Sequence, residues 1–161
     1  MNSMDKLIQT LEAMAATHTQ LLDLVKEKRD LLVGGSIQGL TGLIQLENKC
    51  ADKIQKLELE RQEQVQLYLL QKGISGQSNT LEQLINIQDD AESKFKLQSI
   101  AKKLRGLVEA ISQVNESNKQ LIQASLSYIH YSIGMLIPNE PAIGYGPNAA
   151  KRTTSFLDAK I

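Results

Sequence analysis

No proline occurs in the first 137 residues; Pro138, Pro141 and Pro147 all fall within the last 24. Proline removes a helical hydrogen bond and clashes with the preceding turn, and it punctuates turn-rich β folds. A proline-free stretch of this length therefore selects long helices. The chain has 161 residues, enough for one compact domain and too few for two typical ones. Its 24 Leu stand against no Trp, 2 Phe and 4 Tyr, so burial must come from many aliphatic contacts. Sixteen Gln add helix-forming residues with little catalytic use.

Charge narrows the field further. Eighteen Lys and Arg balance eighteen Asp and Glu, whereas a nucleic-acid binder carries a basic excess to meet phosphate. The single Cys50 cannot form an intramolecular disulfide, which fits a reducing compartment. No apolar run approaches the roughly 20 residues of a membrane span, and the N-terminus has no basic-then-apolar signal pattern. The expectation is a cytoplasmic, all-α protein without nucleic-acid partner or membrane insertion.

Three helical segments follow from apolar spacing. In the first, residues 3–33, Met4, Leu7, Leu11, Met14, His18, Leu21, Val25 and Leu32 recur at intervals of about three and four. Asn2 or Ser3 suits its N-cap, and Gly34-Gly35 its end. The second opens at Ser36 and is firm from Leu43 through Ile44, Cys50, Ala51, Ile54, Leu57, Val65, Tyr68 and Leu69. Residues 73–79 read as a loop. A short helix then starts at Asn79 or Thr80, a polar interval at residues 88–94 marks a kink, and one long helix runs to the stop at Pro138. In that helix one heptad set is Ile100, Leu107, Val114, Leu121 and Tyr128. A second set, Leu97, Leu104, Ile111, Asn118, Ser125 and Ser132, turns polar halfway.

The predicted fold is an antiparallel bundle of three main helices with a long third helix, a short extra helix before it and an irregular C-terminal tail. Residues 1–137 form the helical domain, and residues 138–161 form a partner-binding tail. The tail is polar and turn-rich, and is expected to stay mobile until a partner orders it.

The helix lengths do not match. The first segment spans roughly 46 Å and the third, counted from Gln88 to Leu136, roughly 73 Å at 1.5 Å per residue. The first helix cannot cover the third, and the kink places the uncovered part at the C-terminal end. That end carries Leu121, Ile122, Leu126, Ile129, Ile133 and Leu136, with Tyr128 and Tyr131 beside them. An apolar stripe of this length calls for a partner. A bend of the second helix would also cover it, as would a second copy, which would make the free chain a homodimer.

Catalytic chemistry is not legible. His18 sits on the apolar stripe and reads as a packed residue; His130 has no Cys, Asp or Glu at ligand spacing. Asp89 and Asp90 point about 100° apart on a helix and read as helix-start charges. Glu58, Glu60 and Glu63, and likewise Lys102, Lys103 and Arg105 beside Glu109, read as solvated faces. Cys50 reads as a buried thiol. Gly34-Gly35-Ser36 lacks the lysine of a phosphate loop. No enzyme, metal site or cofactor is expected.

The long helices, the proline stop, Gly144-Tyr145-Gly146-Pro147 and the closing Ser155-Phe156-Leu157-Asp158-Ala159-Lys160 together resemble the FlgN family of flagellar export chaperones. The readable motif is confined to about residues 145–160, while the architecture covers the whole chain. The resemblance implies a small cytoplasmic all-α chaperone. It would hold hook-associated proteins, the subunits of the hook–filament junction, before type III secretion. It further implies that the client's C-terminal helical segment docks on the exposed apolar end and that Tyr145 contacts an export-gate protein. A fold-back of Tyr145 onto the third helix is the competing reading of that residue. From a different class, a structural coiled-coil subunit would homo-oligomerise through the third helix.

Overall fold

The computed structural model describes residues 2–74 and 80–136. Four helices follow one another: α1 (Ser3–Val33), α2 (Leu40–Gln71), α3 (Leu81–Asn86) and α4 (Ala91–Leu136). Of the described residues 88% are helical and none is in a strand, so the chain is all-α. Residues 75–79, Pro138 and the whole tail with Tyr145 lie outside the described residues.

The helix ends have specific causes. The Asn2 carboxamide accepts the Asp5 N–H at 2.8 Å and caps α1. At its other end Ser36 N–H donates to Leu31 O at 3.0 Å and Gly35 N–H to Leu32 O at 3.3 Å, with Gly35 at φ 68°. This pair of bonds and the left-handed glycine form a Schellman motif. It overturns the expected start of the second helix. Ser36 completes the end of α1 instead of capping α2, which begins at Leu40 after Gly39 at φ 88°. The same device ends α2: Ile74 N–H reaches Leu69 O at 2.9 Å, with Gly73 at φ 73°.

Thr80 caps α3, its hydroxyl accepting Gln83 N–H at 3.4 Å. The expected kink is a full break, and Gln88 lies outside the long helix. Its carboxamide donates to Leu84 O at 3.1 Å and accepts from the Tyr68 hydroxyl at 3.2 Å. Asp90 then starts α4: its carboxylate accepts Ser93 N–H at 3.1 Å and Ser93 Oγ–H at 2.7 Å. These bonds hold the Asp90 carboxyl below its usual range.

Helix α1 is the spine. It packs along both α2 and α4, whereas those two meet only sparsely. Between them lies an open groove of about 630 Å³, floored by His18 and Leu21 and walled by Ile54 and Val108. Ser3 Oγ–H donates to Gln71 Oε1 at 3.0 Å and Lys28 reaches Glu47, so α1 and α2 run antiparallel. Val25 meets Asn118, and the first turns of α1 share a cluster with Leu97, so α1 and α4 run parallel. The main core gathers Leu7 and Leu11 of α1, Val65 and Leu69 of α2, Leu84 of α3 and Leu97 of α4. Truncating one such leucine to alanine removes about 2–5 kcal/mol.

The α4 face toward α1 is the heptad set that turns polar: Leu97, Ile111 and Asn118 are buried and Leu104 half-buried. The all-apolar set is left at the flank, with Ile100, Leu107, Val114 and Leu121 half-buried and Tyr128 exposed. Asn118 is 0% exposed, and its Nδ2–H donates to Val25 O at 3.0 Å. One turn along α1, Lys28 is 2% exposed and pairs with Glu47 of α2 at 3.3 Å. Asn118 Oδ1 and Glu47 Oε1 have no hydrogen-bond partner in the protein. Cys50 was expected to be buried and is half-buried instead, on an open α1–α2 groove beside Lys49 and Lys53. Ala51, placed on the inner stripe by its spacing, is exposed because α2 has only one neighbour there.

Burial raises the Glu47 carboxyl above its usual range, and Lys28 opposes that shift without cancelling it. A raised carboxyl is deprotonated first in the unfolded chain. Stability should therefore fall as pH rises through the usual carboxylate range toward neutrality. Lys28→Met should steepen this loss and cost about 3 kcal/mol at pH 7, because it strands a buried charge. Lys28→Met combined with Glu47→Leu should recover most of that loss and flatten the dependence; urea unfolding at pH 4, 5.5 and 7 measures both. Asn118→Asp should cost about 2–4 kcal/mol at pH 7 by setting a carboxylate against the Val25 carbonyl. In the same assay Asn118→Leu should stay within about 1 kcal/mol of the parent, since it loses one bond and one unpaired acceptor together.

Candidate functional site

The site follows from helix register. Asn118 lies 93 positions after the Val25 carbonyl it binds. The same offset carried to Val33, the last residue of α1, meets Leu126. Lys28 paired with Glu47 puts the start of α2 at the same level. Residues 127–136 of α4 therefore run past both neighbours by about 15 Å. The length mismatch read from the sequence is real in kind, with α4 at 46 residues against 31 for α1 and 32 for α2.

The structure divides the expected stripe in two. Leu121, Ile122 and Leu126 are half-buried beside the last turns of α1. Beyond them Ile129 is 50% exposed and Leu136 81%, while Ile133 is half-buried. Tyr128, Tyr131 and Met135 are exposed on the same end. Apolar side chains standing free singly are ordinary, but a contiguous group at one helix end marks an interaction surface.

A second signal, absent from an apolar-spacing argument, marks the same place. No Asp, Glu, Lys or Arg occurs in residues 120–136. A helix face that only meets water is normally charged, and interface cores are depleted of charge. Neutral Gln, Ser and Tyr fill the positions where α1 and α2 carry Asp, Glu and Lys.

The titratable side chains singled out from the sequence are either packed or exposed to solvent. His18 is buried, its Nδ1–H donating to Met14 O at 2.7 Å, and His130 is exposed. Glu58 was read as a solvated side chain but is half-buried: Arg61 donates to both its oxygens, Nε at 2.8 Å and Nη2 at 2.6 Å, and holds its carboxyl below the usual range. Glu60, Glu63, Lys102, Lys103 and Arg105 are exposed. Among the described residues no three His, Cys, Asp or Glu side chains gather to hold a metal ion, and no helix is long and apolar enough to cross a membrane.

Sequence comparison places this geometry in context. The family model described as FlgN protein matches residues 1–153, which includes all four helices and Tyr145. No curated protein and no solved structure matches the chain. The matched length covers nearly the whole sequence, and the chain belongs to the FlgN family of flagellar export chaperones.

Proposed function

We propose that the protein is a cytoplasmic chaperone that binds the C-terminal helical segments of hook-associated proteins and presents them to the flagellar type III export gate. The carrying observation is the exposed, charge-free end of α4 in a chain of this family. Leu121, Ile122, Leu126, Ile129, Ile133 and Leu136 form the client-binding stripe, and Tyr145 of the tail contacts the gate. No bond is made or broken in this mechanism. An amphipathic client helix gains by burying apolar area at about 25 cal/mol per Å², and its masked face cannot assemble early. In this reading the client and the gate are met by separate segments, the stripe on the helix and Tyr145 in the tail. Tyr145 offers the gate both an aromatic ring and a hydroxyl.

One observation supports a second reading. The heptad set Ile100, Leu107, Val114 and Leu121 is half-buried along the flank of α4, and a second copy would cover it as a coiled coil. Light scattering of the free chain separates the two: a dimer lost with Leu107→Glu, with no change in client affinity, would favour the scaffold.

Ile129→Asp or Leu136→Asp should weaken binding of a purified hook-associated protein by about tenfold or more, read by calorimetric titration. The thermal midpoint should stay put, because neither side chain is core. An unfolded Ile129→Asp variant would show that this residue is core. Tyr145→Ala should keep client affinity and reduce client export in a motility or secretion assay. Lost client affinity with gate binding retained would reverse the two roles.

A further inference from the structure

The α4 end is not the only charge-free segment. Residues 31–46 also carry no Asp, Glu, Lys or Arg, although charged residues make up 22% of the chain. This segment comprises the last turn of α1, the connection and the first turns of α2. The two neutral stretches are some 90 positions apart in sequence, and the Val25–Asn118 register sets them side by side. Val33 aligns with Leu126, and Ser36 N–H closing on Leu31 O holds the connection against the end of α1. The connection therefore stands beside the first turn of the α4 overhang. Two large apolar side chains stand out here, Val33 at the end of α1, 67% exposed, and Ile37 in the connection, 81% exposed.

We infer that the binding surface is a composite pole, in which Val33 and Ile37 join Ile129 and Leu136, and that its occupant is an amphipathic client helix whose contacting face carries no charge. This rests on the reading of the α4 end as the client site. Shape and charge choose the occupant. Where α1 stops, α4 continues for about 15 Å; the connection fills the first turn of that, and the roughly 10 Å beyond it matches a helix about 10 Å across laid over the connection against α4. A charged side chain pressed onto either surface would be desolvated with no opposite charge to meet it. An anionic membrane is the poorer fit, because interfacial helices hold such surfaces through Lys and Arg, which both stretches lack.

The test substitutes Ile37, which is exposed in a connection and free to change without disturbing the core. Full-length Ile37→Asp and Ile37→Lys are titrated against a purified hook-associated protein, alongside Ile129→Asp and a control, Leu67→Asp, at the opposite pole. Both Ile37 variants should bind about five- to tenfold more weakly whatever the sign of the new charge, with Leu67→Asp unchanged. Parental affinity in both Ile37 variants, with Ile129→Asp still impaired, would overturn the composite pole and leave the α4 site standing. Parental affinity in Ile129→Asp as well would overturn the α4 reading and this inference together. Flotation with phosphatidylcholine and with phosphatidylserine vesicles, and light scattering of the free chain, test the other occupants. Vesicle binding or dimerisation abolished by Ile37→Asp, with client affinity intact, would overturn the assignment to a client helix.

Discussion

The one buried polar bond between α1 and α4, from the Asn118 carboxamide to the Val25 carbonyl, marks how far one helix runs past another. Leucine and isoleucine hold α4 to α1 strongly but would do so nearly as well one heptad up or down, because an apolar stripe looks much the same to itself after seven residues. A buried polar side chain with a donor to satisfy does not tolerate that slip. The level at which α1 stops, the length of α4 left bare and the placing of the connection beside it all go with this registry.

The Lys28–Glu47 pair plays the corresponding part for α2. It lies one turn from Val25, so both outer helices are indexed to the spine within the same short polar layer. That layer does not add much stability. Glu47 Oε1 and Asn118 Oδ1 are left without protein partners, and a buried ion pair is often no better than packed hydrocarbon. What the layer supplies is specificity of alignment in a core built of interchangeable aliphatic residues. The apolar cluster at the other end, around Leu7, Leu11, Leu84 and Leu97, supplies the adhesion.

Much of this was legible in the amino-acid order. The α1 stripe from Met4 to Val25, the Thr80 cap, the interruption before the long helix and the excess length of α4 all follow from period, caps and proline placement. Three features did not. Asn118 belongs to a heptad set that turns polar, so its period and its residue type point in opposite directions; the neighbouring α1 carbonyl explains its burial. Lys28 reads as a surface charge because its partner is on another helix. Ser36 has the chemistry of an N-cap, but α2 begins only at Leu40, after the left-handed Gly39. As for the site, the bare end of α4 was legible from helix lengths. The half-buried state of Leu121, Ile122 and Leu126 was not, since it depends on a registry set by one side chain. Tyr145 and the tail lie outside the described residues.

Because α2 and α4 each rest on α1 and hardly on each other, the two contacts are unequal in how they form. The α1–α2 hairpin closes across a short connection, whereas α4 must find α1 across some 90 intervening residues. Local contacts form sooner and at lower entropic cost than distant ones. During synthesis, then, the hairpin is complete while the half of α1 meant for α4 is still bare. The same asymmetry persists in the finished molecule: α4 is joined to the hairpin through α1 and through the shared core around Leu97, and hardly through α2. The longest helix is thus also the last to find its place.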